Sequence, residues 1–280
     1  MMNANEILSR YAAGERNFRE VNLIGADLNG IDLSDANLRE SYLREANLIG
    51  ANLSGVNLRE ASLIGANLSG ANMSQINLIG ANLSEANLDE SDLNGANLSR
   101  ANLSNAIISK SNLTDAILSE AKLIKSNLNH ANLRECCASR ANMMEASLIG
   151  AILEGANLTN TMLISAILDK ANLVGANLSG AILESASLIE ADMSRAKMSG
   201  SNLVNANLSG ANLRWANISW TSLRGVNLRG ATLYRAKLSW SNLSGAILSD
   251  AILMDANISR ANLRDADLHG AIMPDGRTYD

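Results

Sequence analysis

Ala51-Asn52-Leu53-Ser54-Gly55 is followed, three units later, by Ala66-Asn67-Leu68-Ser69-Gly70, and the five-residue frame they share decides the fold. With Leu53 as the centre of a unit, aliphatic centres recur at every fifth residue from Leu23 to Met273 without insertion or deletion, Ala138 being the one short centre. Residues 21–275 are thus 51 consecutive pentapeptides, and Phe18 lies on the same grid. The residue two before the centre is Ala in 37 units and the residue just before it Asn or Asp in 32, so both positions obey a backbone rule repeated at each unit.

A period of five excludes the two regular structures. On a helix, five residues rotate the centre by about 500°, which scatters centres around every side. On a flat strand, an odd period sends alternate centres to opposite faces. A chain that turns a corner every five residues keeps all centres pointing inward, and four such sides close a square coil of 20 residues. Glycine marks the corners: of 20 Gly, 18 occupy the second position after a centre, where a tight turn calls for positive φ. Gly in that place predicts a type II turn, and Glu, Arg or Lys there predicts type I.

The chain has 280 residues, a net charge of −5, only 3% aromatics and two His, so an aromatic-filled core and histidine-based catalysis are not expected. Cys136 and Cys137 are adjacent and have no third cysteine to pair with. No disulfide framework is possible, which points to a reducing, cytoplasmic setting. No cofactor, metal site, membrane span or enzyme activity is expected.

The quoted units resemble those of the pentapeptide repeat family, over about nine tenths of the chain. The resemblance implies an all-β, right-handed quadrilateral β-helix. The head, from Glu6-Ile7-Leu8 to Phe18, and the tail Met273-Pro274-Asp275-Gly276 are similar to those of cyanobacterial members, one of which acts in heterocyst differentiation. That likeness implies a scaffold or regulatory protein working through protein contacts. The alternative it offers is a DNA mimic binding gyrase or topoisomerase, as in the quinolone-resistance branch. This chain departs from that branch in its modest negative charge, in Leu rather than Phe centres, and in lacking a helix after Pro274.

The expected organisation is a capping helix at 1–15, about 13 coils over 16–275 and a tail at 276–280. Asn3 with Glu6 reads as a capping box for a helix carrying Ile7, Leu8 and Tyr11 and ending near Gly14. Pro274 should end the pairing.

Residues 20 apart stack in columns, which turns sequence into surface. Arg19, Arg39 and Arg59 should pair with Glu20, Glu40 and Glu60, as a solvated face. Further along, the same Arg column becomes hydroxyls, Ser99 to Ser259 through Ser219 and Ser239, with no histidine beside them, and reads as structural. Residues 195–264 hold nine Lys or Arg against Asp250 and Asp255, while residues 1–194 carry 13 basic and 22 acidic groups. All three Trp lie in the basic segment. Trp220 and Trp240 should stack, Trp215 should lie between Arg195 and Arg235, and Arg214 and Tyr234 share the neighbouring column. This set is the candidate site for an unidentified protein partner. The acidic balance of the whole chain argues against nucleic acid. A second candidate is an apolar patch of Ile124, Met144, Met162, Ile164, Ile167 and Ile182, suited to a weak homodimer or a partner. Cys136 should face inward and Cys137 outward, with Ala138 leaving a void or local bulge beside Leu118 and Leu158. His130 and His269 read as surface residues.

Overall fold

The structure is a computed structural model that describes residues 4–280. The chain divides into two compact units, Met1–Cys137 and Ala138–Asp280. Both follow one construction rule.

Five N–H groups per pentapeptide need five acceptors, and Ala66–Gly70 shows where each is found. Ala66 N–H donates across the corner to Leu63 O (3.0 Å), Asn67 to Ala46 O on the preceding coil (2.9 Å), and Leu68 and Gly70 to Asn87 O (2.6 Å) and Asp89 O (2.9 Å) on the following one. The fifth donor, Ser69 N–H, is taken by Asn67 Oδ1 at 3.2 Å. Asn before the centre is therefore a backbone acceptor in side-chain form. Its own amide climbs the column, as when Asn87 Nδ2 donates to Asn67 Oδ1 at 3.3 Å.

Parallel bridges join residues 20 apart, from Asn17 with Asn37 to Ile117 with Cys137 in the first unit, and from Asn142 with Met162 to Ile252 with Ile272 in the second. A corner every five residues and a partner every 20 make four sides per coil, a β-helix-like arrangement. The centres and the small residues are buried throughout the interior, with Leu68, Ala66, Leu163 and Ala166 all at 0% exposure. Where the small position carries a hydroxyl it donates to a carbonyl inside: Ser111 Oγ to Leu88 O (2.6 Å), Thr161 Oγ1 to Ala138 O (2.9 Å) and Thr221 Oγ1 to Met198 O (2.8 Å).

The corners are uniform. The third corner residue has φ of 64° at Gly70, 60° at Glu60, 54° at Lys110 and 62° at Trp220. The type I turns expected at charged residues do not form; the type II pattern holds whatever the side chain. The cause is the stack: the N–H of the third corner residue must reach a carbonyl on the next coil, as Glu60 N–H reaches Ile79 O at 2.9 Å. That pairing imposes the left-handed conformation on L-residues at a cost of about 1 kcal/mol each.

The helix α1, Ala4–Ala12, covers the start of the first unit. Its expected capping residue Asn3 lies outside the described residues. Ile7 is fully buried, Tyr11 Oη donates to Ser34 O at 3.0 Å, and the Arg10 guanidinium sits 5.8 Å from the centre of the Phe18 ring. Leu8, which the helix also carries, is exposed. It follows Ile7 by one residue and so points about 100° away from it. Gly14, with φ 93°, ends the helix, its N–H bonding Tyr11 O at 2.9 Å.

At the other end parallel pairing does stop at Pro274, whose carbonyl still accepts Asp255 N–H at 3.1 Å. The tail is more than an appendage. It folds back so that Ile272 and Thr278 form an antiparallel bridge, with Tyr279 N–H on Ala271 O and Gly270 N–H on Tyr279 O, both at 2.8 Å. Pro sits where its missing donor costs little, because Ile272 before it has no side-chain acceptor to offer.

Candidate functional site

The second unit gathers the aromatic and basic residues on neighbouring corner columns. Trp220 and Trp240 stack with ring centres 4.9 Å apart and planes 7° from parallel. One coil is about 4.8 Å, so the fold's own spacing is a stacking distance. The outer face of Trp240 is covered by the Arg260 guanidinium at 4.3 Å. Arg260 was not among the residues read from the sequence, although the 20-residue step places it directly after Trp240 in the column.

On the preceding corner, Arg235 lies 4.8 Å from the Trp215 ring centre and 5.0 Å from that of Tyr234. The two rings meet edge to face at 6.0 Å and 88°. Arg235 also binds Asp255, with Nε to Oδ2 at 3.1 Å. Trp215 lies between Arg195 and Arg235 in its column as expected, but only one arginine reaches its ring: its partners Tyr234 and Arg235 are both on the following coil, and Arg195 on the preceding one makes no ring contact. Arg214 shares the column of Tyr234 but is joined to the set only through its backbone, its carbonyl accepting Arg195 N–H at 2.8 Å. Arg195, Lys197, Arg214 and Lys237 are exposed and form no ion pair among the described residues.

The stack has one bare end. Trp220 is 64% exposed, and the column continues below it as Gly200 and Gly180. A Cβ placed on Gly200 would meet nothing within 4 Å, whereas one on Gly180 would collide with the Asn160 side chain that reaches over it. Between Asn160 and Trp220 there is thus one vacant rung beneath an open indole face.

The apolar candidates are less prominent. Ile124 belongs to the first unit and Met144, Met162, Ile164, Ile167 and Ile182 to the second. Among these only Ile167 is exposed, the others being half-buried. A 480 Å³ cavity lies at the end of the second unit, lined by Ile258, Met273, Pro274, Asp275, Arg277, Thr278 and Tyr279.

In the first unit the charged columns interlock as expected, with Arg39 contacting Glu40 (2.6 Å) and Glu60 (3.4 Å), and Arg59 contacting Glu60 (3.0 Å). Arg59 first, then Arg39, holds the Glu60 carboxyl below its usual range. These groups are solvated and screened, which suits a surface rather than a site. Ser219 and Ser239 hydroxyls lie 3.2 Å apart and bond one another. Cys136 is buried and Cys137 half-buried, as read, and burial pushes the Cys136 thiol up to about 12, with Cys137 and Glu135 adding to the effect. The bulge expected at Ala138 is not present: its N–H reaches Asn157 O at 2.8 Å and its carbonyl accepts Ala141 N–H at 3.1 Å, the regular pattern. Backbone pairing, not centre size, sets the register. Among the described residues no three His, Cys, Asp or Glu side chains converge on a possible metal position, and no helix is long and apolar enough to cross a membrane.

The family model for pentapeptide repeats matches eight times, at residues 17–55, 41–80, 76–115, 111–146, 141–180, 171–210, 211–250 and 251–274. Among solved structures the chain is similar to HetL, a pentapeptide repeat protein involved in heterocyst differentiation regulation from the cyanobacterium Nostoc, at 34% identity, covering 100% of both chains, with a TM-score of 0.35. It is also similar to a pentapeptide repeat protein of the Arabidopsis thaliana thylakoid lumen, at 27% identity over 39% of this chain and 63% of that one, with a TM-score of 0.30. QnrB1, a plasmid-mediated fluoroquinolone resistance protein, is 20% identical over 77% of this chain and 90% of its own, with a TM-score of 0.33. No curated protein matches the chain.

Proposed function

Since the chain belongs to the pentapeptide repeat family, we propose that it is a non-catalytic scaffold or regulatory protein that binds another protein through the aromatic and cationic columns of its second unit. Its coil is right-handed in this reading, with about 13 turns over residues 16–275. The observation that carries it is the exposed stack of Trp220 and Trp240 beside the Trp215–Tyr234–Arg235 cluster. Large exposed aromatics interleaved with arginine are the residue types that dominate binding energy at protein interfaces. The 34% identity to HetL supports placing the role in cyanobacterial regulation.

A duplex mimic requires an acidic surface. The columns described here are basic, and residues 195–264 carry nine cationic side chains against two anionic ones. An unchanged rate of gyrase supercoiling in the presence of the protein is therefore expected, and inhibition or protection would favour the mimic.

The direct test is affinity capture from the host lysate with the wild-type chain and with Trp215→Ser, Trp220→Ser and Trp240→Ser combined. All three positions are solvent-exposed corners, so far-UV circular dichroism should be unchanged. Loss of the captured protein with the triple variant supports the interface, and equal capture refutes it.

A further inference from the structure

We infer that the vacant rung at Gly200 is a stacking slot for one aromatic side chain carried on an acidic peptide segment. The inference rests on the reading of this face as a protein-binding surface and names the chemistry of what binds.

The geometry is set by the coil. Trp220 and Trp240 show that two rings on consecutive rungs stack at 4.9 Å. Gly200 is the next rung down the same column, joined to Trp220's coil by its N–H bond to Ser219 O at 3.3 Å. With no Cβ there and nothing within 4 Å of where one would be, a ring brought from outside occupies the third place of the stack. The Asn160 side chain over Gly180 closes the slot from below. Arg260 already covers the far face of Trp240, so the open face of Trp220 is the free end of this column.

The charges choose the segment that carries the ring. Arg195, exposed on the preceding corner, and Lys197, exposed on the side leading to Gly200, lie on the coil of the slot. Lys197 is bridged to Asn217 and Asn217 to Lys237, which places Lys197 and Lys237 two coils, about 10 Å, apart beside the stack. None of the three has an anionic partner among the described residues, whereas Arg235 is held by Asp255 and Arg260 by the Trp240 ring. Three uncommitted cations, two on the coil of the slot and one farther along the stack, suit a few carboxylates flanking an aromatic. A nucleic-acid strand gains its affinity from many phosphate contacts spread along its backbone, more than three cations supply.

All three Trp of the chain lie at this surface, so intrinsic fluorescence reports occupancy. The probe is a synthetic peptide with a single phenylalanine between short runs of glutamate, titrated at low salt. Saturable binding is expected, weakened by salt and reduced about tenfold when the phenylalanine is replaced by serine. Gly200→Trp should fold, since Trp is already carried at this corner with φ 62° at Trp220 and Trp240, and it should close the slot and weaken binding about tenfold. Lys197→Glu should weaken it as well. The inference is overturned if Gly200→Trp binds as tightly as the wild type, if the serine peptide binds equally, or if an oligothymidylate strand binds more tightly than the peptide. Should the peptide fail while capture of the host protein still depends on the tryptophans, the occupant is wrong and the interface stands; should both fail, the functional reading falls too.

Discussion

The Oδ1 of Asn67 accepts the backbone N–H of Ser69 at 3.2 Å, closing the last open donor of its pentapeptide. The same oxygen receives the Nδ2 of Asn87 from the next coil at 3.3 Å. Asn67→Leu removes both interactions and should lower stability by about 1 kcal/mol, read as a shift in the urea midpoint. Asn67→Asp keeps the acceptor and should cost less than half as much. Equal losses for the two substitutions would show that the backbone acceptor is not what this position supplies.

Corner conformation makes a second prediction, with opposite signs at two sites. Gly70 has φ 64° and open space around its missing Cβ, so Gly70→Ala meets backbone strain without a clash and should destabilise by about 1 kcal/mol. Ser165 has φ 55° at the equivalent corner, and Ser165→Gly should relieve that strain and stabilise by about 0.5 kcal/mol after the added freedom of the unfolded chain is counted. Thermal unfolding of the two variants decides it. A destabilised Ser165→Gly would mean that the left-handed corner costs L-residues nothing in this stack.

Much of this was legible because centres, small residues and corners each carry a periodic signal that survives substitution. Leu53, Ala51 and Gly55 name their places from the sequence alone. What was not legible depends on pairing between coils. Glu60 and Lys110 favour a right-handed turn in isolation, yet the next coil's carbonyl fixes φ at 60° and 54°. Thr278 and Tyr279 lie beyond the repeat, and nothing in their spacing announces the antiparallel return to Ile272 and Ala271. At the candidate site, the 20-step rule places the Trp220–Trp240 stack but says nothing of ring direction, which is why it does not reveal that Arg235 and not Arg195 meets the Trp215 ring, or that Arg260 covers Trp240.

Asp32 stands where most units have Asn, and this gives the coil a pH dependence. Ser34, through its backbone N–H first and then its side chain, and Asn52 through its amide hold the Asp32 carboxyl below its usual 3.8. The bond lengths are 2.9 Å from Ser34 N–H and 3.0 Å from Asn52 Nδ2. A carboxyl whose folded pKa is depressed stabilises fully above the unfolded value and loses that contribution as pH falls through the folded one. Relative to Asp32→Asn, which does not titrate, the wild type should therefore weaken as pH drops below about 4. Urea midpoints of both proteins between neutral and strongly acidic pH test this; a constant difference at all pH values would contradict it.

Cys136 and Cys137 are neighbours in sequence and differ in chemistry because the coil turns one inward and the other outward. The thiolate is the nucleophile, and a thiol buried among apolar groups with its pKa pushed up to about 12 supplies almost none near neutral pH. Cys137 is half-buried, its Sγ 3.4 Å from Ser119 Oγ, and it has a route to solvent. Iodoacetamide at pH 8 should therefore modify one thiol per native chain and two after denaturation, with peptide mapping assigning the native adduct to Cys137. Cys136→Ala should leave the native stoichiometry at one while destabilising the coil by about 1 kcal/mol through the lost sulfur packing. Two adducts on the native chain would show that the interior opens at this coil on the timescale of the reaction.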